Sequence, residues 1–282
     1  MIQLHVLGSG SKGNAFAITS ESGTLLVEAG FSIKSMLVRL DVAGIDPATV
    51  RGIILTHEHG DHARGGAGLA AKFGVPVACS PGTWRALHRG EMAGSFQPLS
   101  TIRPTVMSEF LIHAQPTTHD AAQPLAVVVE AGDTKVGFVM DIGRPTTAVR
   151  YLVSGCHGVV VESNYDELLL RTGAYPASVQ ARIAGSQGHL SNRAAADLLS
   201  EMCHPGLSTV VLAHLSQQSN TKERARETVE TALRARDFRG TVWVADQDEP
   251  LPAIDVAPAP HPDQGELRLR WDDEPVVQPR ES

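Results

Sequence analysis

Short apolar runs alternate along the chain with segments of helical spacing. Residues 2–7 read as a strand entering a glycine loop at 8–13, and residues 14–19 and 25–27 read as two more strands joined by a turn at Ser22-Gly23. Residues 32–43 place Ile33, Met36, Leu37 and Leu40 on one helical face, Asp46-Pro47 signals a helix start, and 53–56 is a β-branched, buried-type strand. A helix over 63–73 stopped by Gly74 and a strand over 75–79 complete a β-α-β alternation, with a short helix over 81–89 and no clear pattern from 90 to 108. Further strands are expected at 110–112, 126–130, 135–140, 159–161, 210–213 and 241–245, and further helices through 194–202 and 222–236. Past Gln247, prolines and charges replace large apolar residues. A domain over 1–250 followed by a mostly flexible tail over 251–282 is therefore expected, with a short peripheral strand at 266–271.

The residues just past the strands are more informative than the strands themselves. The strand at 53–56 runs straight into His57-Glu-His59-Gly-Asp61-His62, three histidines and an aspartate within six residues. Two positions apart in extended backbone, His57 and His59 face the same way and can share one ion. Asp61 and His62 follow too closely to reach that ion from the same side, and so suit a neighbouring one. Imidazoles with a carboxylate fit zinc, manganese or iron. Other strands end alike, at His119, Asp141, Glu162 and His214, and in layered α/β proteins the functional crevice lies outside such carboxyl ends. His189 stands just upstream of a helix that Ser191 or Asn192 can cap. His5, His88, His113, His157, His204 and His261 have no comparable setting and read as structural or exposed.

Composition narrows the class. With 282 residues, 42% hydrophobic and 20% charged, the chain can bury a full core. Its net charge of -7 provides no global basic field for nucleic acid or membrane, although two divalent ions would add local positive charge. Three scattered cysteines without C-x-x-C pairing, and no apolar run approaching the ~20 residues of a membrane span, imply a reduced, cytoplasmic protein. A nucleic-acid groove would have to be assembled from scattered cations such as Lys12, Lys34, Arg64 and Arg144.

One motif competes. Gly8-Ser-Gly10-Ser-Lys-Gly13 matches G-x-G-x-x-G, with Glu28 where a ribose-binding acid would stand. That fingerprint needs a helix opening at its third glycine, whereas residues 14–19 read as a strand, so a tight loop near the active site is the better expectation.

The H-x-H-x-D-H of residues 57–62, with the later His119, Asp141 and His214, resembles the metallo-β-lactamase fold superfamily. The segments around Asn14, Asp120, Asn164, Asn192 and Ser216 are similar to its YycJ/WalJ-like group, which is related to ribonuclease Z and PhnP-type phosphodiesterases. The resemblance spans about residues 1–250. It implies an α/β fold, a four-layer αββα sandwich, with two divalent metal ions (zinc or manganese) between the sheets. His57, His59 and His119 would hold one ion, Asp61, His62 and His214 the other, and Asp141 would bridge them. Glu162 and His189 match a pair that assists proton transfer to the leaving group in ribonuclease Z relatives. Where the family has Asp, this chain has Glu28 as support for the metal loop, which bears on metal affinity.

The function so implied is metal-dependent phosphodiester hydrolysis, an exonuclease-like activity on DNA or RNA, with Asp61 orienting the nucleophile and His189, held by Glu162, acting as general acid. The alternatives are a thioesterase or lactonase of the same fold, a phosphodiesterase for small cyclic or nucleotide substrates, a nucleotide-binding module built on 8–13, and a purely structural metal protein. The last is disfavoured because structural zinc sites are closed and rich in Cys.

Overall fold

The computed structural model describes residues 2–87 and 95–257. In chain order its strands are β1 (Ile2–Gly8), β2 (Ala15–Ser20), β3 (Gly23–Val27), β4 (Val50–Ile54), β5 (Val77–Cys79), β6 (Phe96–Pro98), β7 (Thr105–Met107), β8 (Phe110–Pro116), β9 (Leu125–Ala131), β10 (Thr134–Val139), β11 (Gly158–Glu162), β12 (Thr209–Ala213), β13 (Thr241–Val244) and β14 (Ile254–Val256). Its α-helices are α1 (Ile33–Val42), α2 (Gly60–Ala63), α3 (Gly66–Phe73), α4 (Pro81–Leu87), α5 (Thr147–Val153), α6 (Glu167–Thr172), α7 (Ala177–Ile183), α8 (Asn192–Met202) and α9 (Lys222–Arg234). Among the described residues the strands form two seven-stranded sheets, ordered β14-β1-β2-β3-β4-β5-β6 and β13-β12-β11-β10-β9-β8-β7.

The period-two alternation of apolar residues sorts the layers. Along β2, Phe16 and Ile18 join the core between the sheets, while Ala15 and Ala17 face the helices outside. Along β12, Val211 and Ala213 point inward, and Val210 and Leu212 pack on the outer layer. The Phe16 and Phe138 rings meet across the sheets with centroids 5.7 Å apart. Met36, Leu40 and Leu69 of α1 and α3 cover the first sheet, and Val149, Leu199 and Val229 of α5, α8 and α9 cover the second. Strands apolar on both faces read as unbroken hydrophobic runs for this reason. The result is the expected αββα sandwich.

Several details differ from the expectation. The helix expected over 63–73 is α3 and starts only at Gly66, because the chain turns at Arg64 and Gly65, and Ala63 ends the separate turn α2. A side chain at Gly65 would come within 2.5 Å of the Phe31 carbonyl, so this bend requires glycine. The patternless 90–108 stretch supplies β6 and β7, each three residues long and too short to show a period. The fold also continues past the expected boundary at 250: Leu251 packs against the central core and β14 pairs antiparallel with β1. Polar Asp255 sits between buried Ile254 and Val256, a period-two pattern that the surrounding prolines obscured. The strand expected at 266–271 and most of the expected tail lie outside the described residues. The glycine loop at 8–13 passes from β1 into antiparallel β2, a strand and not a helix.

Candidate metal centre

Strand ends from both sheets converge at one rim of the sandwich. β4 leads through Leu55 and Thr56 to His57, and the chain passes His59 into the single turn of α2 that carries Asp61 and His62. β10 ends just before Asp141, β11 ends on Glu162, β12 ends just before His214, and the loop after β8 brings in His119. His57 Nε2 lies 3.1 Å from His59 Nδ1 and 3.4 Å from Asp141 Oδ2. His119 Nε2 is 3.3 Å from the same His59 nitrogen and 3.4 Å from the same Asp141 oxygen. On the other side, His62 Nε2 is 3.3 Å from Asp141 Oδ2 and 3.5 Å from Asp61 Oδ2, and His214 Nε2 is 3.3 Å from Asp61 Oδ2. Two groups of possible ligands thus share Asp141.

Proton placement fits this donor set to divalent cations. Thr56 Oγ1 donates to Glu28, so it accepts from His57 Nδ1 at 2.9 Å, and the neutral ring turns an unprotonated Nε2 toward the cluster. His119 Nδ1 faces the Gly188 carbonyl at 3.1 Å, which only accepts, so its Nε2 is likewise free. Three buried atoms at the centre, His62 Nδ1, His214 Nδ1 and Asp141 Oδ1, lack a well-directed hydrogen bond. His214 Nδ1 nevertheless stands 2.6 Å from Asp141 Oδ1 and His62 Nδ1 3.2 Å from Glu28 Oε1, so the cluster is a convergence of histidine nitrogens and carboxylate oxygens, the donor set that a divalent cation takes.

The electrostatics agree. Burial alone would raise Asp141, but the His214 and His62 charges hold it well below the usual carboxylate range. For Asp61 too, burial is outweighed, here by hydrogen bonds with His214 and His62. Burial would lower His62 and His214, yet Asp141 raises both well above an ordinary histidine. His57 and His119 are lowered, chiefly by burial, as suits neutral ligands.

Glu28 and the Glu162–His189 pair flank the cluster. Glu28 is fully buried, accepts from the Thr56 N–H at 3.3 Å, and reaches within 3.2 Å of His62 Nδ1. The longer side chain thus bears on both the Thr56-His57 turn and His62. Next to it, Gly30 lies so close to the metal loop that a Cβ would stand 1.7 Å from the Asp61 carbonyl. Glu162 is also fully buried. Its Oε1 accepts from the N–H groups of Ile142 (2.6 Å) and Leu190 (3.1 Å), and its Oε2 lies 3.0 Å from His189 Nδ1. Burial opposes protonation of His189, but Glu162 overrides it and raises the ring above the ordinary value.

The other histidines keep away from the cluster. His5 bonds Thr19, His113 pairs with Glu130, His157 accepts the Lys135 N–H, and His204 meets the Cys156 carbonyl. His88 and His261 lie outside the described residues. Sequence reasoning passed over several residues here. Asn14 Nδ2 sits 3.2 Å from His62 Nε2, and Asp120 Oδ1 3.3 Å from His119 Nε2. A buried network of Ser163, Asn192 and Asn220 ties together the loops that carry Glu162, His189 and His214. Asn14, Asp120 and Asn192 all stand inside the family-like motifs, but nothing in a single sequence marks Asn220. The cleft over the cluster measures 290 Å³ and is also lined by Tyr175 and Arg182, whereas Lys12, Lys34, Arg64 and Arg144 do not line it.

Residues 8–172 match the family model described as the metallo-beta-lactamase superfamily. The chain is 31% identical to exodeoxyribonuclease YycJ of Bacillus anthracis over 84% of this chain and 91% of that protein. It is 29% identical to exodeoxyribonuclease WalJ of Streptococcus pneumoniae over 83% of this chain and 88% of that one. The crystal structure of the metallo-beta-lactamase fold protein YhfI from Bacillus subtilis superposes with a TM-score of 0.68 at 18% identity, covering 89% of this chain and 98% of that one.

Proposed function

The chain belongs to the metallo-beta-lactamase superfamily, and from that premise we propose that it is a dinuclear metal-dependent phosphodiester hydrolase that degrades DNA from an end. The observation that carries this reading is the Glu162–His189 pair, 3.0 Å apart at the edge of the shared His/Asp cluster. Hydrolysis of a carbonyl substrate has less use for such a proton donor. That the relatives from two organisms are both named exodeoxyribonucleases supports DNA as the polymer.

His57, His59 and His119 would hold one ion and Asp61, His62 and His214 a second, with Asp141 shared; zinc or manganese suits these imidazole and carboxylate donors. Bound there, the ions supply Lewis acidity toward the phosphoryl oxygens and activate water at neutral pH. The chain's own residues orient groups and move protons. Asp61, partly exposed to the cleft, accepts a hydrogen bond from the attacking water. Two backbone N–H groups occupy Glu162 Oε1, which leaves Oε2 for His189 Nδ1 and turns His189 Nε2 toward the cleft. From there the protonated ring donates to the departing oxygen. The free thiols Cys79, Cys156 and Cys203 support a reducing, cytoplasmic setting. No helix among the described residues is long and apolar enough to cross a membrane.

The test is degradation of end-labelled linear DNA with manganese, by wild type and His189→Ala, with a chelator control. Release of label should require the metal and fall about 10²–10⁴-fold without His189. A metal-loaded protein that leaves DNA and RNA intact but hydrolyses a thioester or lactone would overturn the proposal.

A further inference from the structure

One wall of the cleft plays no part in the chemistry above. After Glu162 the chain forms two short helices, α6 and α7, with Tyr175 in the connection between them and Arg182 in the last turn of α7. Both residues line the cleft together with Asp61, His189 and His214. This segment is anchored at both ends. Asp166 caps α6 by accepting the Leu168 and Leu169 N–H groups at 3.0 and 2.9 Å, and also receives Arg224 Nη1 at 3.1 Å. At the far end the Ile183 carbonyl accepts the His189 N–H at 2.9 Å, an approach so close that a Cβ on Gly188 would stand 2.1 Å from that oxygen. Arg182 thus adjoins the residue whose carbonyl holds His189.

Two features of this wall point to a ligand. Arg182 is the one arginine or lysine among the lining residues, on a chain of net charge -7 and in a cleft also lined by Asp61, Asp120 and Asp141. Yet among the described residues its exposed guanidinium joins no ion pair and donates no side-chain hydrogen bond. A guanidinium left open beside a phosphodiester site presents the planar fork that phosphate oxygens match. Tyr175, half-buried in the same wall, engages its neighbour Gln180 through its backbone carbonyl and leaves its ring to the cleft. An aromatic face of this kind takes a nucleobase irrespective of sequence. The cleft's 290 Å³ lies just under the range of ligand sites, about 300 to 1,000 Å³, which is the scale of a small ligand such as one nucleotide.

We propose that Tyr175 and Arg182 form a nucleotide clamp, Arg182 binding the phosphate next to the scissile one and Tyr175 stacking on the adjoining base, so that the site selects a single-stranded nucleic-acid end over small diesters. The inference rests on the phosphodiesterase reading and adds residues that determine its specificity. Its test compares Arg182→Ala, Tyr175→Ala and Tyr175→Phe with wild type on an end-labelled single-stranded oligonucleotide and on bis(p-nitrophenyl) phosphate. Arg234→Ala, on exposed α9 and absent from the cleft lining, is the charge control. Either alanine should lower kcat/KM on the oligonucleotide about 10- to 100-fold, mostly through KM, with a loss at least about tenfold greater than on the small diester. Tyr175→Phe should restore binding, and Arg182→Ala should reduce the salt slope by about 0.7. Equal losses on both substrates, or no loss on the oligonucleotide, would overturn the clamp alone. Wild type that degrades linear duplex DNA but not the single strand would also overturn the clamp alone, whereas wild type that cleaves the small diester and neither form of DNA would sink both the nuclease reading and the clamp.

Discussion

Glu162→Gln removes a charge from the site and almost nothing else. The wild-type carboxylate makes three hydrogen bonds while fully buried, two from backbone N–H groups and one with His189 Nδ1. A glutamine can keep its oxygen on the Ile142 and Leu190 N–H groups, but its NH2 then faces His189 Nδ1. That forces Nδ1 to accept, switches the neutral tautomer, and withdraws the negative charge that stabilises the imidazolium. A hydrogen bond to a charged partner contributes about 1.5–3 kcal/mol, which corresponds to roughly 10- to 150-fold in a rate that depends on the protonated ring. Because Glu162 raises His189 in the wild type, the ring keeps its proton to higher pH there than in the variant. The deficit should therefore be smallest in acid, widen as pH rises from the variant's lower value toward the wild-type one, and level off above it. The assay is kcat on linear DNA at several pH values, with bound metal quantified in each preparation. A second substrate isolates the proton step: p-nitrophenolate leaves without protonation, so bis(p-nitrophenyl) phosphate should lose much less. Fully metallated Glu162→Gln that degrades DNA within about threefold of wild type at every pH would refute the proton-donor argument.

Three further outcomes are expected. Glu28→Gln should weaken metal binding about 10- to 100-fold, because it leaves Thr56 and His62 facing a neutral amide; competition with a chromogenic chelator measures it. Stripping the metal should abolish turnover and lower stability by about 2.7 kcal/mol relative to protein held at a hundredfold excess over Kd; calorimetry with and without added manganese or zinc reads both. Phe138→Ala, which empties a fully buried ring site against Phe16, should cost about 3–5 kcal/mol in denaturant titration, with metal content unchanged in the folded fraction.

The sandwich was legible because its strands are buried on both faces and its outer helices have a clear apolar stripe, as in α8 with Ala195, Leu198 and Leu199. The convergence of the His/Asp cluster was legible because side chains placed directly after apolar runs are constrained by the strands before them, and distances of 3.1–3.5 Å connect those residues. What escaped has physical reasons. β6, β7 and β14 are three residues each, shorter than any period can reveal. α6 and α7 hold few buried apolar positions, Leu170 in α6 and none in α7, so the segment bearing Tyr175 and Arg182 offered no stripe to detect. Asn220 acts through a hydrogen-bond network assembled from three loops, and only tertiary structure brings those loops together.

The backbone carries a signal of its own. Among the described residues five that are not glycine adopt positive φ, and three of them are Glu28, Asp141 and His214, each at a strand end facing the cluster. A left-handed conformation costs a residue with a Cβ about 1–2 kcal/mol, and glycine would remove that cost. Glycine is nevertheless absent from these three positions, because the position needs the side chain: Glu28 holds Thr56, Asp141 lies between both ligand groups, and His214 faces Asp61. The surroundings impose the conformation, with the His214 N–H held by Ser9 Oγ at 2.8 Å and the Glu28 N–H by the Ile54 carbonyl at 2.8 Å. Relief of strain by substitution to glycine would therefore stabilise the backbone only by discarding a side chain of the cluster, which is the trade expected if these residues are the proposed ligands and their support.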